Sequence, residues 1–448
     1  MNIRSGKILR IQLVLGFFSV MICHSAYGDS TIPVSHATPV EPHFTTEIRA
    51  ELAQIGLVTS LRVSGDTLYV GGTTGLAALD HSGKVLWTLE LPAAMARQID
   101  ADGQHVAFTS FDLAGIDRSA LLGSKFLAGD LLAKPKYINA VVGLVTLDGK
   151  LVWSVSSSEQ TRLSPPALGR TGVGVTRTKS FGLFDLATGR ESANISMETS
   201  MLGEGLDLQS ATTRPLVWND NFFVAHLHTL VKVGPGGEEL ATSHRFGLTL
   251  PFHCITGGPT LFGKKVYFGN ISPERDKDPL LLAVDEKGGN AGKEDLDAGS
   301  KTRSPATCLV VNGNRLYVAS NFTVFAYDES GEKLWKAGNK GGGLYPGSHR
   351  GVKFIGNSFE KVFPVPKSLL ANTQMVATAR YLYITSSHKK DLHGVERAET
   401  TDALTVLDAK TGKYVNSIFL DVLILDMVLY DSQLALATTD GIKFLPLQ

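Results

Sequence analysis

The sequence predicts an all-β fold, an eight-bladed β-propeller of four-stranded antiparallel blades, because two kinds of hairpin alternate along the chain. The first kind is clearest at Leu61–Val70, where two apolar runs flank the turn Ser64-Gly65-Asp66. The same pattern recurs until eight copies are complete, mostly with Gly, Asn or Asp at the turn. These residues tolerate the positive φ angles that tight hairpins need. Eight copies of one hairpin predict eight blades.

The second kind of hairpin follows the first and carries an Asp, a Gly and a Trp. The Asp carboxylate can fold back onto the turn, and the Gly supplies a left-handed residue. The Trp falls on the outer strand, where its ring can fill the gap between neighbouring sheets. The complete copies, which we interpret as the structural motif of the repeat, are Asp80, Gly83, Trp87; Asp148, Gly149, Trp153; and Asp328, Gly331, Trp335. Weaker copies start at Asp185, Asp285 and Asp408.

The number of strands predicts how the ring closes. Only seven second hairpins follow the eight first ones, because the chain ends after the strand Ile442–Leu447. The last blade therefore lacks an outer strand, and the alternating segment Thr45–Leu52 is predicted to supply it. Such pairing removes an exposed strand edge. The propeller domain is thus predicted to span residues 45–448, and an open solenoid of sheets is the alternative.

The N-terminus has the features of a signal peptide. Basic residues precede the apolar stretch Ile11–Ile22, which is too short to span a bilayer. Small residues up to Gly28 suit a signal peptidase, so we predict a signal peptide over residues 1–28 and an N-terminal extension over 29–44. Lipidation of Cys23 is the alternative, although the residues before it are poor for that processing. We expect a periplasmic or secreted protein with no transmembrane segment after signal removal.

The repeat resembles that of the pyrroloquinoline-quinone-type (PQQ-like) propellers. The resemblance rests on Leu68-Tyr69-Val70-Gly71, Ala78-Leu79-Asp80, Gly83-Lys84 and Leu86-Trp87, and it extends over residues 57–448. That family includes quinoprotein alcohol dehydrogenases and the propeller lipoprotein of the outer-membrane barrel assembly machinery. The resemblance implies the propeller fold and leaves the function open, because one scaffold hosts several roles.

The residues do not predict catalysis. Quinoproteins that resemble this family carry an adjacent pair of cysteines over the cofactor and Glu, Asn and Asp ligands to calcium, whereas this chain has three isolated cysteines and no matching carboxylates. A haem-binding Cys-x-x-Cys-His is also missing. The 43 basic and 43 acidic residues balance, which argues against nucleic acid as a partner. We therefore predict a non-enzyme with no catalytic residues, cofactor or metal site, more similar to the assembly lipoprotein than to the dehydrogenases.

Loop lengths differ between the two faces of the predicted propeller. With strands labelled A to D from the channel outward, the B–C and D–A connections emerge on one face. All the long connections are of these kinds: Phe111–Asn139, Ile271–Pro279, Ser386–Asp402, Ser200–Arg214 and Gly338–Leu370. Loops of this length are usually functional or disordered. We predict a scaffold that binds a protein partner or an unknown small ligand of the cell envelope through this face. The alternative is a quinoprotein-like enzyme or small-ligand binder with its site at the channel mouth.

The largest insert, Phe111–Asn139, has apolar residues at helix-like spacing. Leu122, Phe126, Leu127 and Leu131 fall broadly on one side of that helix and are predicted to contact the partner. The alternative is that the helix packs onto its own propeller.

Two cysteines remain after signal removal. Cys254 and Cys308 lie before or at the start of inner strands of consecutive blades, and an exported protein folds in an oxidising compartment. We therefore predict a disulfide between them, with two buried free thiols as the alternative.

Overall fold

Eight sheets with a core of four antiparallel strands follow one another around a ring, and the eighth packs against the first. The predicted eight-bladed β-propeller is therefore confirmed. The computed structural model describes residues 32–33, 42–113, 137–157, 163–177, 179–197, 213–226, 229–243, 255–270, 280–295, 306–320, 323–338, 352–354, 374–388, 403–420, 422 and 424–447. All of them belong to one unit, Thr31–Gln448. No helix among these residues is long and apolar enough to cross a membrane.

Two short strands, β1 (Ile32–Pro33) and β2 (Thr46–Ile48), and a 3₁₀ helix, Ala50–Ile55, precede blade 1. Blade 1 contains β3 (Val58–Ser64), β4 (Thr67–Gly72), β5 (Gly75–Leu79) and β6 (Val85–Glu90). Blade 2 contains β7 (Ala96–Ala101), β8 (His105–Leu113), β9 (Tyr137–Thr146) and β10 (Leu151–Ser156). Blade 3 contains β11 (Ala167–Leu168), β12 (Gly172–Thr176), β13 (Ser180–Asp185) and β14 (Glu191–Ser196). Blade 4 contains β15 (Leu216–Trp218), β16 (Asn221–His226), β17 (Thr229–Val233) and β18 (Glu239–Ser243).

Blade 5 contains β19 (Ile255–Phe262), β20 (Lys265–Asn270), β21 (Leu280–Asp285) and β22 (Asn290–Asp295). Blade 6 contains β23 (Ala306–Asn312), β24 (Arg315–Ser320), β25 (Thr323–Asp328) and β26 (Lys333–Gly338). In blade 7, β27 (Val352–Phe354) and β28 (Met375–Ala377) share the inner position beside β29 (Tyr381–His388), followed by β30 (Ala403–Asp408) and β31 (Tyr414–Phe419). Blade 8 contains β32 (Ile424–Tyr430), β33 (Gln433–Thr438), β34 (Gly441–Pro446) and β2.

The middle strands are apolar on both faces because each blade is covered by a neighbour on either side. All five residues of β5 are buried, whereas β14 alternates between partly buried and exposed residues. A strand with both faces covered requires a continuous apolar run, and an outer strand does not. The burial therefore follows the predicted order of strands from the channel outward.

The C–D turns are held by their aspartates. Asp80 Oδ1 accepts hydrogen bonds from the backbone N–H of Ser82 at 2.9 Å and of Lys84 at 3.0 Å. Gly83 has φ +84°, a value that side-chain-bearing residues rarely adopt. Hydrogen bonding from Ser82 lowers the pKa of Asp80, and the turn aspartates Asp148, Asp185, Asp328 and Asp408 also have lowered pKa values, because each accepts side-chain hydrogen bonds.

Three tryptophans connect consecutive blades by the same contact. The ring of Trp87 on β6 covers Gly149 in the C–D turn of blade 2, where an added Cβ would lie 2.7 Å from the indole. Its Nε1–H donates to the Leu147 carbonyl of that turn at 2.7 Å. The same ring contact and Nε1–H bond join Trp153 to Gly189 and Leu186 O, and Trp335 to Gly412 and Ala409 O. We call this arrangement the indole contact.

An N-terminal strand closes the ring, as predicted. β2 pairs antiparallel with β34 in the register Thr46↔Phe444 and Ile48↔Ile442. The Ile48 side chain is 4% exposed and touches Gly83 of blade 1, so the closing strand also packs against the first blade. The strand is shorter than the predicted segment Thr45–Leu52, because a 3₁₀ helix begins at Ala50.

The predicted N-terminal extension contributes a further strand. β1 lies parallel to β26, the outer strand of blade 6, with Ile32 opposite Ala337 and Pro33 opposite Gly338. Two residues without an alternating pattern give no signal for a strand. The extension therefore pairs with the rim of the propeller at this point.

Candidate functional site

Four charged side chains from blades 8, 1, 2 and 4 form a connected network at the inner strands. Arg62 of β3 lies 3.6 Å from the Asp426 carboxylate of β32 and 4.0 Å from the Asp100 carboxylate of β7. Arg214, which precedes β15, donates from Nη1 to Asp100 at 2.5 Å and from Nη2 to the Ile99 carbonyl at 2.8 Å. Arg214 thus reaches from blade 4 past blade 3 to blade 2.

The two carboxylates also hold the backbone of the next blade. Asp426 accepts the N–H of Leu61 in blade 1 at 2.8 Å, and Asp100 accepts the N–H of Leu168 in blade 3 at 2.9 Å. Hydrogen bonds to ionised acceptors are stronger than those between neutral groups. Asp426 therefore fastens the last blade to the first through its side chain, inside the strand pairing that β2 provides at the rim.

The electrostatics of this network are those of a paired structural cluster. Burial raises the pKa of Asp426, and Arg62 and Arg214 oppose that shift. Burial and the nearby Arg62 lower the pKa of Arg214 to about 10, while Asp100 and Asp426 oppose that change. Two arginines balance two aspartates, and the contacts above already occupy the carboxylates. The cluster can connect neighbouring blades. The formal charges of its four side chains add up to zero, so they leave no excess charge for binding an ion.

The insert of blade 2 leaves the propeller on an extended stem. β8 has 9 residues and β9 has 10, and their pairing continues past a bulge to Leu113↔Tyr137. The rings of Phe111 and Tyr137 meet edge to face at 5.4 Å and are both buried. Residues at both ends of the predicted insert, Phe111–Asn139, are therefore strand, a correction to its boundaries: the connection itself is 114–136.

A buried arginine supports the base of this stem. Arg97, one residue along β7 from the partner of Phe111, is 1% exposed. It donates to the carbonyls of Gly72 at 2.6 Å and Pro92 at 2.8 Å, and its guanidinium lies 5.7 Å from the Phe108 ring. Burial lowers its pKa to about 10. Arg97 thereby fixes the B–C turn and the D–A connection of blade 1 beside the stem.

The predicted partner-binding and disulfide residues lie largely beyond the described ranges. Leu122, Phe126, Leu127 and Leu131 fall within 114–136, outside the described residues, and so does Cys254. Cys308 is partly buried on β23 and is not bonded to any cysteine that the structure describes. Burial raises the pKa of its thiol to about 12. The disulfide and the partner contact both stay predictions.

Sequence reasoning missed the charged network. A signal was present, because Arg62, Asp100 and Asp426 each stand between two apolar residues of an inner strand. A charge within such a strand needs a partner when buried, but its partner cannot be identified before the blades are assembled. Across the described ranges, no group of three or more His, Cys, Asp or Glu is placed to hold a metal ion.

Comparison with known proteins agrees with this fold. The profile of the outer membrane protein assembly factor BamB matches residues 49–294. Among solved structures, BamB from Moraxella catarrhalis superposes with a TM-score of 0.58 at 13% identity, covering 91% of this chain and 100% of that chain. The computationally designed protein Ika8 gives 0.54 at 12% identity, covering 94% and 100%. Sqt1 of Saccharomyces cerevisiae gives 0.55 at 10% identity, covering 90% and 98%. No functionally curated protein matches the sequence significantly.

The structural similarities are at identities that indicate a shared fold alone. The sequence profile carries more weight, because it covers more than half of the chain and includes Trp87, Gly149 and Trp153, which form consecutive indole contacts. This chain therefore belongs to the family of the outer membrane protein assembly factor BamB, the PQQ-like propellers that the repeat resembles.

Proposed function

We propose that this protein is an exported, non-catalytic scaffold of the cell envelope that binds partner proteins and takes part in assembling outer-membrane proteins. Membership of the assembly-factor family supports the role. The observation that carries the proposal is the difference in loop length between the two faces of the propeller. Long loops on one face are not needed for the propeller to fold, whereas a binding scaffold uses such loops as its contact surface.

The contrast can be read from the ends of the described strands. The B–C connections of blades 2, 5 and 7 span residues 114–136, 271–279 and 389–402, whereas the A–B turns of blades 1 and 6 are only 65–66 and 313–314. The alternation of strand direction brings B–C and D–A connections to the same face. We therefore infer that partners bind the B–C/D–A face.

Within that face, we assign the main contact to the 114–136 connection. This connection begins and ends at the β8–β9 pairing, where the buried rings of Phe111 and Tyr137 meet edge to face. Leu122, Phe126 and Leu127 supply the apolar side of the insert. Apolar residues of this kind are costly to expose to water unless they cover the protein's own surface or bind a partner.

Chemical cross-linking of envelopes, followed by purification of the tagged full-length chain, tests this contact. The double variant Phe126→Asp/Leu127→Asp should lose its cross-linked outer-membrane assembly partners and keep its melting temperature. The control, Leu86→Asp/Leu240→Asp, places the same charges at exposed apolar positions of the rim and should keep the partners. A helix that packs on its own propeller would instead make the first variant less stable by about 2–5 kcal/mol.

The cellular role has a separate test. Deletion of the gene should lower the amounts of folded β-barrel proteins in the outer membrane, and the wild-type chain should restore them. Unchanged amounts in the deletion strain would contradict a role in assembly. Export predicts a mature chain that begins at Asp29, which N-terminal sequencing reads directly; a lipidated first residue at Cys23 would replace that assignment.

A further inference from the structure

The boundary between blades 5 and 6 differs from the boundaries that carry an indole contact. Gly331 stands in the C–D turn of blade 6 with φ +90°, close to the +84° of Gly149. No atom of the described residues lies within 4 Å of the position its Cβ would take. At Gly149, Gly189 and Gly412, an indole atom lies at 2.6–2.7 Å from the same position.

The difference arises because the outer strand of blade 5 has a glycine at the register position of the tryptophan. Trp87 pairs with Ala78 and Trp335 pairs with Ala326 immediately before a bulge. In blade 5, Gly292 pairs with Ala283 at the same register, again immediately before a bulge. Blade 5 therefore presents a residue without a side chain where blades 1 and 6 present an indole.

Other boundaries without tryptophan still fill this space. The Cβ of Ala193 would lie 2.2 Å from a Cβ added at Gly237, and the Cβ of Ala241 would lie 2.8 Å from one added at Gly288. Small residues on both sides thus suffice for contact when the blades approach closely. At Gly331 no described residue fills the space, and we call this position the 5/6 notch, defined by Gly292 and the turn 328–331.

The notch keeps the backbone hydrogen-bond acceptor of an indole contact. In the three indole contacts, Nε1–H donates to a carbonyl of the facing turn, at 2.7 Å for Leu147, 2.8 Å for Leu186 and 3.2 Å for Ala409. The corresponding carbonyl in blade 6 is that of Glu329, and the described part of the chain supplies no donor to it.

We propose that the 5/6 notch binds a tryptophan side chain of a partner polypeptide, with the ring over Gly331 and Nε1–H donating to the Glu329 carbonyl. A second copy of this chain has no spare indole to offer. Of its four tryptophans, three form the indole contacts, and Trp218 packs at 5.5 Å against Phe223 on neighbouring inner strands. The notch lies at the end of the blades that bears the C–D turns, opposite the B–C/D–A face. It is independent of the proposed function.

The test follows the glycine amide signals of ¹⁵N-glycine-labelled full-length protein by NMR. The Gly331 signal is identified by its loss in Gly331→Ala. N-acetyl-tryptophanamide should shift the Gly331 signal saturably, and N-acetyl-leucinamide, an apolar probe without an indole, should not. Gly292→Trp places an indole of the chain itself in the notch and should weaken the response by at least about tenfold.

A variant that opens an equivalent space serves as the positive control. Trp87→Ala removes the indole over Gly149, so the Gly149 signal should become responsive to the probe. Trp153→Ala does the same at Gly189 if Trp87→Ala does not fold. A Gly331 signal that stays unshifted, or one whose shift is unchanged in Gly292→Trp, overturns the proposal. The wild-type and Gly292→Trp titrations decide this without the control.

Discussion

The indole contact predicts that two glycines in the same kind of turn differ in their tolerance of a methyl group. Gly149 and Gly331 both occupy C–D turns, with φ +84° and +90°. Alanine at either position meets the same backbone strain, roughly 1–2 kcal/mol for a left-handed residue. Only at Gly149 would the new Cβ lie 2.7 Å from an indole ring. That overlap adds about 1–3 kcal/mol, the usual penalty for overpacking.

The expected free energies of unfolding follow from these two terms. Gly331→Ala should lower the free energy of unfolding by about 1–2 kcal/mol, the strain alone. Gly149→Ala should lower it by about 2–5 kcal/mol, the strain together with the overlap. If Trp87 is the source of the difference, Gly149→Ala in a Trp87→Ala background should return to about 1–2 kcal/mol. Gly331→Ala should be unaffected by that background, because Trp87 lies at a different boundary.

Urea unfolding followed by far-ultraviolet circular dichroism measures these effects without using tryptophan fluorescence, which Trp87→Ala alters. The wild type, the three single variants and the two double variants complete two thermodynamic cycles. Equal losses for Gly149→Ala and Gly331→Ala would refute the assignment. So would a Gly149→Ala loss that stays the same after Trp87 is removed.

Three further predictions concern closure, charge and pH. A chain that begins at residue 53 lacks β2 and the buried side chains Ile48 and Leu52, so its free energy of unfolding should be lower by roughly 3–6 kcal/mol. A chain that begins at residue 42 keeps these residues and serves as the control. Equal urea midpoints for the two truncations would exclude this account. Asp426→Asn should lower the free energy of unfolding by about 2–4 kcal/mol, because the Leu61 N–H and the Arg62 guanidinium lose an ionised acceptor. Glu47→Gln removes one partner of an exposed ion pair and should lower it by less than about 1 kcal/mol. Equal losses in the same urea assay would contradict this prediction. Asp328, in the C–D turn of blade 6, has a lowered pKa in the folded protein because it accepts side-chain and backbone hydrogen bonds. The stability that this carboxylate supplies is therefore present above about pH 4 and is lost as the pH falls through its lower folded-state pKa. Urea midpoints between pH 7 and pH 3 should fall less steeply for Asp328→Asn than for the wild type, and identical slopes would argue against this account.

The fold was predictable from the sequence because the residues that define the repeat lie in the turns and outer strands of single hairpins. A left-handed Gly after Asp80 and a Trp after that Gly are local signals, and each reports one hairpin without reference to the rest of the chain. Closure was predictable for a similar reason, since counting strands leaves one outer position empty. The pairing of Ile32 with Ala337 was not, because two residues carry no periodicity.

The candidate site was harder to predict, and the physical reason is distance along the chain. Leu61 N–H and the Asp426 carboxylate are separated by 365 residues, and they meet only because the eighth blade returns to the first. Arg214 reaches Asp100 across an intervening blade, so even the order of blades does not identify that pair. A charged residue in an inner strand announces that a partner exists. Its identity is a property of the closed ring. Loss of the Asp426 carboxylate should therefore weaken the junction of blades 8 and 1, whereas loss of the exposed Glu47–Lys443 pair affects only the pairing of β2 with β34 within blade 8.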